Sequence, residues 1–154
     1  MRKIFLLVLV LGSCGKKEKP ESVVNDLPAL VITKTDGSQL AMKSVTGKTV
    51  IVMFQPDCDH CQREAIEIRN HVAAFADYQV YFVSSAPVPT VDQFSIDYKF
   101  KGLPNFHFGV TTVDEVLNSF GPIDAPSVYI YNEQGRLKQN FNGETVIQLI
   151  LRSL

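Results

Sequence analysis

Thr49-Val50-Ile51-Val52-Met53-Phe54-Gln55-Pro56-Asp57-Cys58-Asp59-His60-Cys61 joins an apolar run to a Cys-x-x-Cys pair. The first six residues are β-branched or apolar without alternation, the pattern of a central strand covered on both faces. Beyond the cysteines the period changes. Ala65, Ile68, Val72 and Phe75 fall on one helical face, which predicts a helix over 59–76. The cysteines therefore sit where a buried strand hands over to a helix. There the helix dipole and the unpaired backbone N–H groups favour negative charge on Cys58, and the thiolate is the reactive form of a cysteine. Cys61, one turn deeper, is placed to attack a mixed disulfide formed at Cys58.

The pattern continues on both sides. Leu27–Ile32 and Gln39–Met42 flank Thr35-Asp36-Gly37-Ser38, an Asp-Gly hairpin signal. Gln79–Val83 reads as a second buried strand, and Asn105–Gly109 as a third. Thr90 with Gln93, and Thr112 with Glu115, fit the capping-box spacing and predict helices reaching Lys99 and Phe120, the latter stopped by Gly121-Pro122. Ser127–Tyr131 and Arg136–Phe141 flank Asn132–Gly135 as a hairpin, and 144–151 reads as a closing helix. A leading hairpin followed by β-α-β-α-β-α-β-β-α predicts an α/β sandwich with a mixed central sheet flanked by helices.

Composition narrows the classes. The 154 residues suit one domain, and 45% hydrophobic residues exclude wholesale disorder. A formal net charge of -1 leaves no basic footprint for nucleic acid. Three cysteines are too few for a disulfide-stapled mini-protein. Zinc needs about four ligands, and no second Cys/His pair accompanies Cys58 and Cys61. His71 and His107 read as ordinary surface or core histidines. Phe94, Tyr98, Phe100, Phe106 and Phe108 read as core packing.

Met1-Arg2-Lys3 and the apolar run Ile4–Leu11 have the charge and length of a secretory signal, and the run is far shorter than the ~20 residues of a membrane span. Leu11-Gly12-Ser13-Cys14 resembles a bacterial lipobox, which implies lipidation at Cys14 and cleavage just before it. The expected organisation is a lipoprotein signal peptide at 1–13, a lipidated polar tether at 14–26 and one domain at 27–154. Gly15 is not the aspartate associated with inner-membrane retention, so an outer-membrane anchor facing the periplasm is expected.

The strand–Cys-x-x-Cys–helix unit resembles thioredoxin-like proteins. The wider chain is similar to envelope thiol-disulfide oxidoreductases of the TlpA/ResA type, on Thr35–Ser38, Gly47–Val52, Phe54–Cys61 and Ala125–Gly135. The resemblance implies a thioredoxin-like three-layer sandwich with an N-terminal β-hairpin extension. It also implies a Cys58–Cys61 redox pair and a cis-proline at Pro126 that packs beside the pair and aligns the substrate. No bound cofactor is implied. The implied partners are disulfide- or thiol-containing envelope proteins, with a membrane electron donor or another dithiol protein to reset the pair. Thioredoxin itself has Trp where this chain has Asp57, and a buried Asp where it has Val52, so no proton acceptor is assigned. Ser127 stands where cytochrome-maturation members often carry Thr or Glu. His60, at the third motif position, implies tuning of the potential to a value more oxidising than thioredoxin's, because a nearby imidazolium favours the thiolate. Pro56-Asp57-Cys58 is also similar to Sco-type copper metallochaperones, which keep three residues between their cysteines where this chain has two. The Pro-x-x-x-Thr-x-x-Cys pattern of peroxiredoxins is absent upstream of Cys58.

Overall fold

The computed structural model describes residues 25–154. The proposed signal, the Cys14 lipidation site and nearly all of the tether lie outside the described residues. Strands β1 (Val31–Lys34), β2 (Gln39–Ala41), β3 (Thr49–Met53), β4 (Gln79–Ser84), β5 (Phe106–Val110), β6 (Ser127–Tyr131) and β7 (Leu137–Asn142) form one sheet in the order β2-β1-β5-β4-β3-β6-β7. β3, β4 and β5 run parallel, and the remaining pairings are antiparallel. Helices α1 (Asp59–Asn70), α2 (Val88–Asp97), α3 (Val113–Phe120) and α4 (Ile147–Ser153) complete the expected order.

The unbroken apolar strands follow from two covered faces. Val50 and Val52 of β3, Val80 and Phe82 of β4, and Val128 and Ile130 of β6 enter one core with residues of α1, α2 and α4. The alternate residues Ile51, Met53, Tyr81, Val83, Tyr129 and Tyr131 enter a second core with Val116 of α3, Leu27 and Leu30. This is a thioredoxin-like three-layer sandwich. The aromatic residues near α2 pack as expected: Phe54 and Phe94 lie 4.7 Å apart, Phe82 stacks on Phe108 at 4.8 Å, and Tyr98 stacks on Phe94 at 4.2 Å. In the leading hairpin, Asp36 Oδ1 accepts from the Ser38 N–H at 2.9 Å, and Gly37 takes φ +85°, a turn conformation that favours glycine.

Several element boundaries differ from the sequence expectation. β1 starts at Val31, because Leu27 and Leu30 serve the second core from irregular backbone. α1 ends at Asn70 rather than Ala76. The ring of His71 faces the Glu67 carbonyl at 2.8 Å, and a 3₁₀ turn over Val72–Phe75 still delivers Phe75 to the core. α2 begins at Val88 instead of being capped by Thr90. Pro89 occupies the first turn, where its missing N–H costs nothing. α4 begins at Ile147 rather than 144, since Glu144 and Thr145 are drawn into bonds with α1. Among the described residues, no helix is long and apolar enough to cross a membrane.

Candidate active site

The chain leaves the sheet at β3 and turns through Gln55–Asp57 with a Cys58 N–H to Gln55 carbonyl bond of 3.2 Å. Cys58 is the N-cap of α1, with extended backbone, and its Sγ accepts from the Cys61 N–H at 3.3 Å. A sulfur here stands where Ser or Thr oxygens ordinarily satisfy the orphan donors of a helix start. Cys58 is half-buried and Cys61 is buried; both are free thiols. The Cys61 sulfur accepts from the Gln55 N–H at 3.5 Å. Burial pushes the Cys61 thiol up to about 12, reinforced by its hydrogen bond with Cys58 and by the charge of Glu64, against a lowering from the Gln55 N–H.

Ala125-Pro126 is a cis peptide, as the resemblance implied. The Cys58 thiol faces the Ala125 carbonyl at 3.8 Å, so the proline turn and the pair share one surface. Two bonds brace that turn: Gly143 N–H to the Pro126 carbonyl at 2.8 Å, and Ser127 Oγ to Asn142 Oδ1 at 2.7 Å. On the other side, the Gln55 amide donates to Ser85 Oγ at 2.7 Å and accepts from Ser84 Oγ at 3.0 Å, tying the end of β3 to the end of β4.

His60 turns to Glu144 and Arg63. Its Nδ1 lies 2.5 Å from Glu144 Oε2 and 2.7 Å from an Arg63 nitrogen. Only one of these can be a hydrogen bond at a time: a protonated Nδ1 donates to Glu144, and a bare one accepts from Arg63. Arg63 also grips Glu144 in bidentate fashion at 2.8 and 2.6 Å. The Arg63 bond, then the His60 contact, hold the Glu144 carboxyl down to about 2. The motif is thereby fastened to the loop between β7 and α4.

Glu64 is the residue that sequence reading missed. It lies three positions after Cys61, on the same helical face as Ala65 and Ile68, and is only 2% exposed. One carboxylate oxygen accepts from the Thr145 N–H at 2.9 Å, while the other is buried without a hydrogen-bond partner. Burial pushes its carboxyl up to about 7, aided by the Glu144 charge and opposed by the Thr145 N–H. A charged residue at an apolar-face position of α1 was the available signal.

The remaining histidines sit apart from the pair. His71 closes α1 at its far end, and His107 of β5 faces Gln79 at 2.8 Å and stacks on Tyr81. Among the described residues, no three His, Cys, Asp or Glu side chains converge on a common point fit for a metal ion.

Residues 23–140 match the model of the AhpC/TSA family, more than half of the chain and inclusive of Cys58, Cys61 and Pro126. The chain belongs to that family. A curated relative named thiol-disulfide oxidoreductase ResA, from Bacillus thuringiensis, is 22% identical over 93% of this chain and 89% of its own. Among solved structures, MTB DsbF superposes with a TM-score of 0.71 at 20% identity, over 84% of this chain and 96% of that one. StoA from Bacillus subtilis gives 0.62 at 15% identity, over 82% and 98%. The thioredoxin-like fold read from the sequence is the fold these solved structures share.

Proposed function

We propose that this chain is a thiol-disulfide oxidoreductase that exchanges disulfides with protein substrates through Cys58 and Cys61. The observation that carries this reading is the asymmetry of the pair. A half-buried sulfur caps a helix and receives an N–H, with a buried thiol one turn beneath it. In the reducing direction the Cys58 thiolate attacks a substrate disulfide, forming a mixed disulfide and releasing one substrate thiolate. Cys61 then gives up its proton and attacks the Cys58 sulfur; the second substrate thiol leaves and the pair is oxidised. The oxidising direction is the same sequence reversed. Burial makes Cys61 a poor thiolate at neutral pH, so the resolving step needs a proton acceptor. Glu64, buried one turn beyond Cys61 with one carboxylate oxygen unpartnered and its charge felt at the thiol, is read as that acceptor, reached through a water.

Ala125, held beside Cys58 by the proline turn, presents a backbone N–H that bonds no group among the described residues. A substrate strand laid along it would align with the sulfur, the role expected of Pro126. His60, fixed between Glu144 and Arg63, is read as setting the potential. Equilibration of the protein with glutathione buffers tests that: an intermediate value is expected, and a thioredoxin-like value contradicts it. The lipid anchor at Cys14 and the envelope location belong to the same reading and rest on the sequence pattern. Palmitate labelling in the host, lost in Cys14→Ala, is the expected result, and unlabelled protein contradicts the anchor. Exchange is favoured over copper delivery because two residues separate the cysteines and neither distant histidine approaches them.

Trapping tests the whole reading. Cys61→Ser, expressed in its host, should accumulate mixed disulfides through Cys58, and the wild-type protein should reduce insulin. If no adducts form and insulin stays oxidised, the reading falls.

A further inference from the structure

A cleft of about 110 Å³ opens beside the reactive pair, between α3 and the C-terminal ends of β3 and β4. Val83, Val113, Val116, Leu117 and Ile123 line it, and Ala125, whose carbonyl faces the Cys58 sulfur, closes one side. The polar side chains at its edge, Gln55, Ser84 and Ser85, are bonded to one another. At the rim, Val113 and Leu117 lie one helical turn apart and are 57% and 47% exposed. Such apolar surface stays hydrated until an apolar group covers it.

We propose that this cleft is a specificity pocket for one aliphatic side chain of the polypeptide undergoing exchange, carried within about two residues of its reacting cysteine at ~3.3 Å per extended residue. The proposal rests on the exchange reading and names what that reading leaves open. During the reaction a partner cysteine is bonded to the Cys58 sulfur, and its backbone passes Ala125, 3.8 Å away. A neighbouring side chain on that strand falls over the cleft, so the occupant belongs to the chain already held at Cys58. Size selects among apolar residues. An apolar cavity of about 150 Å³ takes up benzene, and this cleft is smaller, which suits Leu, Ile, Val or Met better than an aromatic ring.

The test uses the full-length reduced protein and short peptides whose single cysteine is blocked as a mixed disulfide with 2-mercaptoethanol. Leu, Phe or Ser flanks the cysteine on both sides. Cys58 attacks the peptide sulfur and expels 2-mercaptoethanol as thiolate; Cys61 then releases the peptide thiol, and the pair is oxidised by two electrons. Each rate is divided by that for hydroxyethyl disulfide on the same variant. The Leu peptide should react about tenfold faster than the Ser peptide, with Phe below Leu, a ratio typical of one apolar contact. Leu117→Gln should bring the Leu-to-Ser ratio toward one, while Leu117→Met should keep it. Equal Leu and Ser rates, a Phe rate at or above Leu, or a preference that survives Leu117→Gln would overturn the pocket. A wild-type protein that reacts with neither the peptides nor hydroxyethyl disulfide removes the exchange reading, and the pocket with it.

Discussion

Two helices of this chain begin with the same hydrogen bond and do different things. α1 is capped by Cys58, whose sulfur accepts from the Cys61 N–H at 3.3 Å; α3 is capped by Thr112, whose hydroxyl accepts from the Glu115 N–H at 3.2 Å. In both, the N-cap side chain satisfies the N–H three residues on. What separates them is the capping atom and what lies beneath it. Under Cys58 lie a second thiol and a buried carboxyl, both displaced from their ordinary protonation by burial. At α3, Glu115 turns to the Thr111 hydroxyl, and the cap only ends the helix. A helix start supplies donors to any acceptor. Chemistry appears where the acceptor can be a nucleophile and a resolving group sits within one turn.

Replacing the sulfur of the α1 cap with a hydroxyl makes it resemble the α3 cap. Cys58→Ser keeps an N-cap acceptor, so the fold should hold within about 1 kcal/mol in urea unfolding. Insulin reduction should fall at least ~10³-fold, since the hydroxyl is a far weaker nucleophile than the thiolate. Retained activity would place the chemistry elsewhere.

The next largest effect concerns Glu64. Its carboxyl is raised from 4.5 to about 7, so between those values the folded protein holds a proton that the unfolded chain has released. The associated stability is fully present below about 4.5 and lost as pH rises through about 7, a change on the order of 3 kcal/mol. Urea titrations of Glu64→Gln should show this slope flattened. If Glu64 also takes the Cys61 proton, the same variant should slow release of a preformed mixed disulfide more than its formation.

Thr112→Ala is the matching change at α3. It should cost about 1 kcal/mol of stability and leave insulin reduction within twofold. A large activity loss would mean that α3 is more than a wall of the site. The smallest expected effect is at Glu144. Its carboxyl is held near 2 by Arg63 and His60, so its contribution is present above about 4.5 and lost as pH falls through about 2. Glu144→Gln should therefore make the acid limb of a pH-stability profile shallower and, by removing a charge that helps raise Glu64, shift the slope between about 4.5 and 7 slightly toward lower pH.

β3, β4 and β6 were readable in the sequence because two covered faces demand apolar residues at successive positions, with Thr49, Gln79, Ser84 and Ser127 only at the strand ends. The redox pair was readable from its position after β3. Pro126 was reachable only through resemblance, since local chemistry alone leaves an X–Pro bond mostly trans. The misses involve distant partners. Thr90 and Gln93 have capping-box spacing, yet Pro89 starts α2 earlier. Residues 144–146 have a helical pattern, yet Glu144 and Thr145 bind side chains 81 positions away on α1. Glu64 showed in the sequence only as a charge on the apolar face of α1; its burial and its raised carboxyl depend on a loop near the other end of the chain.

The two thiols are unequal, and alkylation measures that inequality directly. The reduced protein is treated at pH 7.5 with substoichiometric iodoacetamide, and the labelled cysteine is mapped by mass spectrometry. Label should appear on Cys58, with Cys61 protected by burial and by a thiol held near 12. Label appearing on Cys61 as fast as on Cys58 would contradict that inequality.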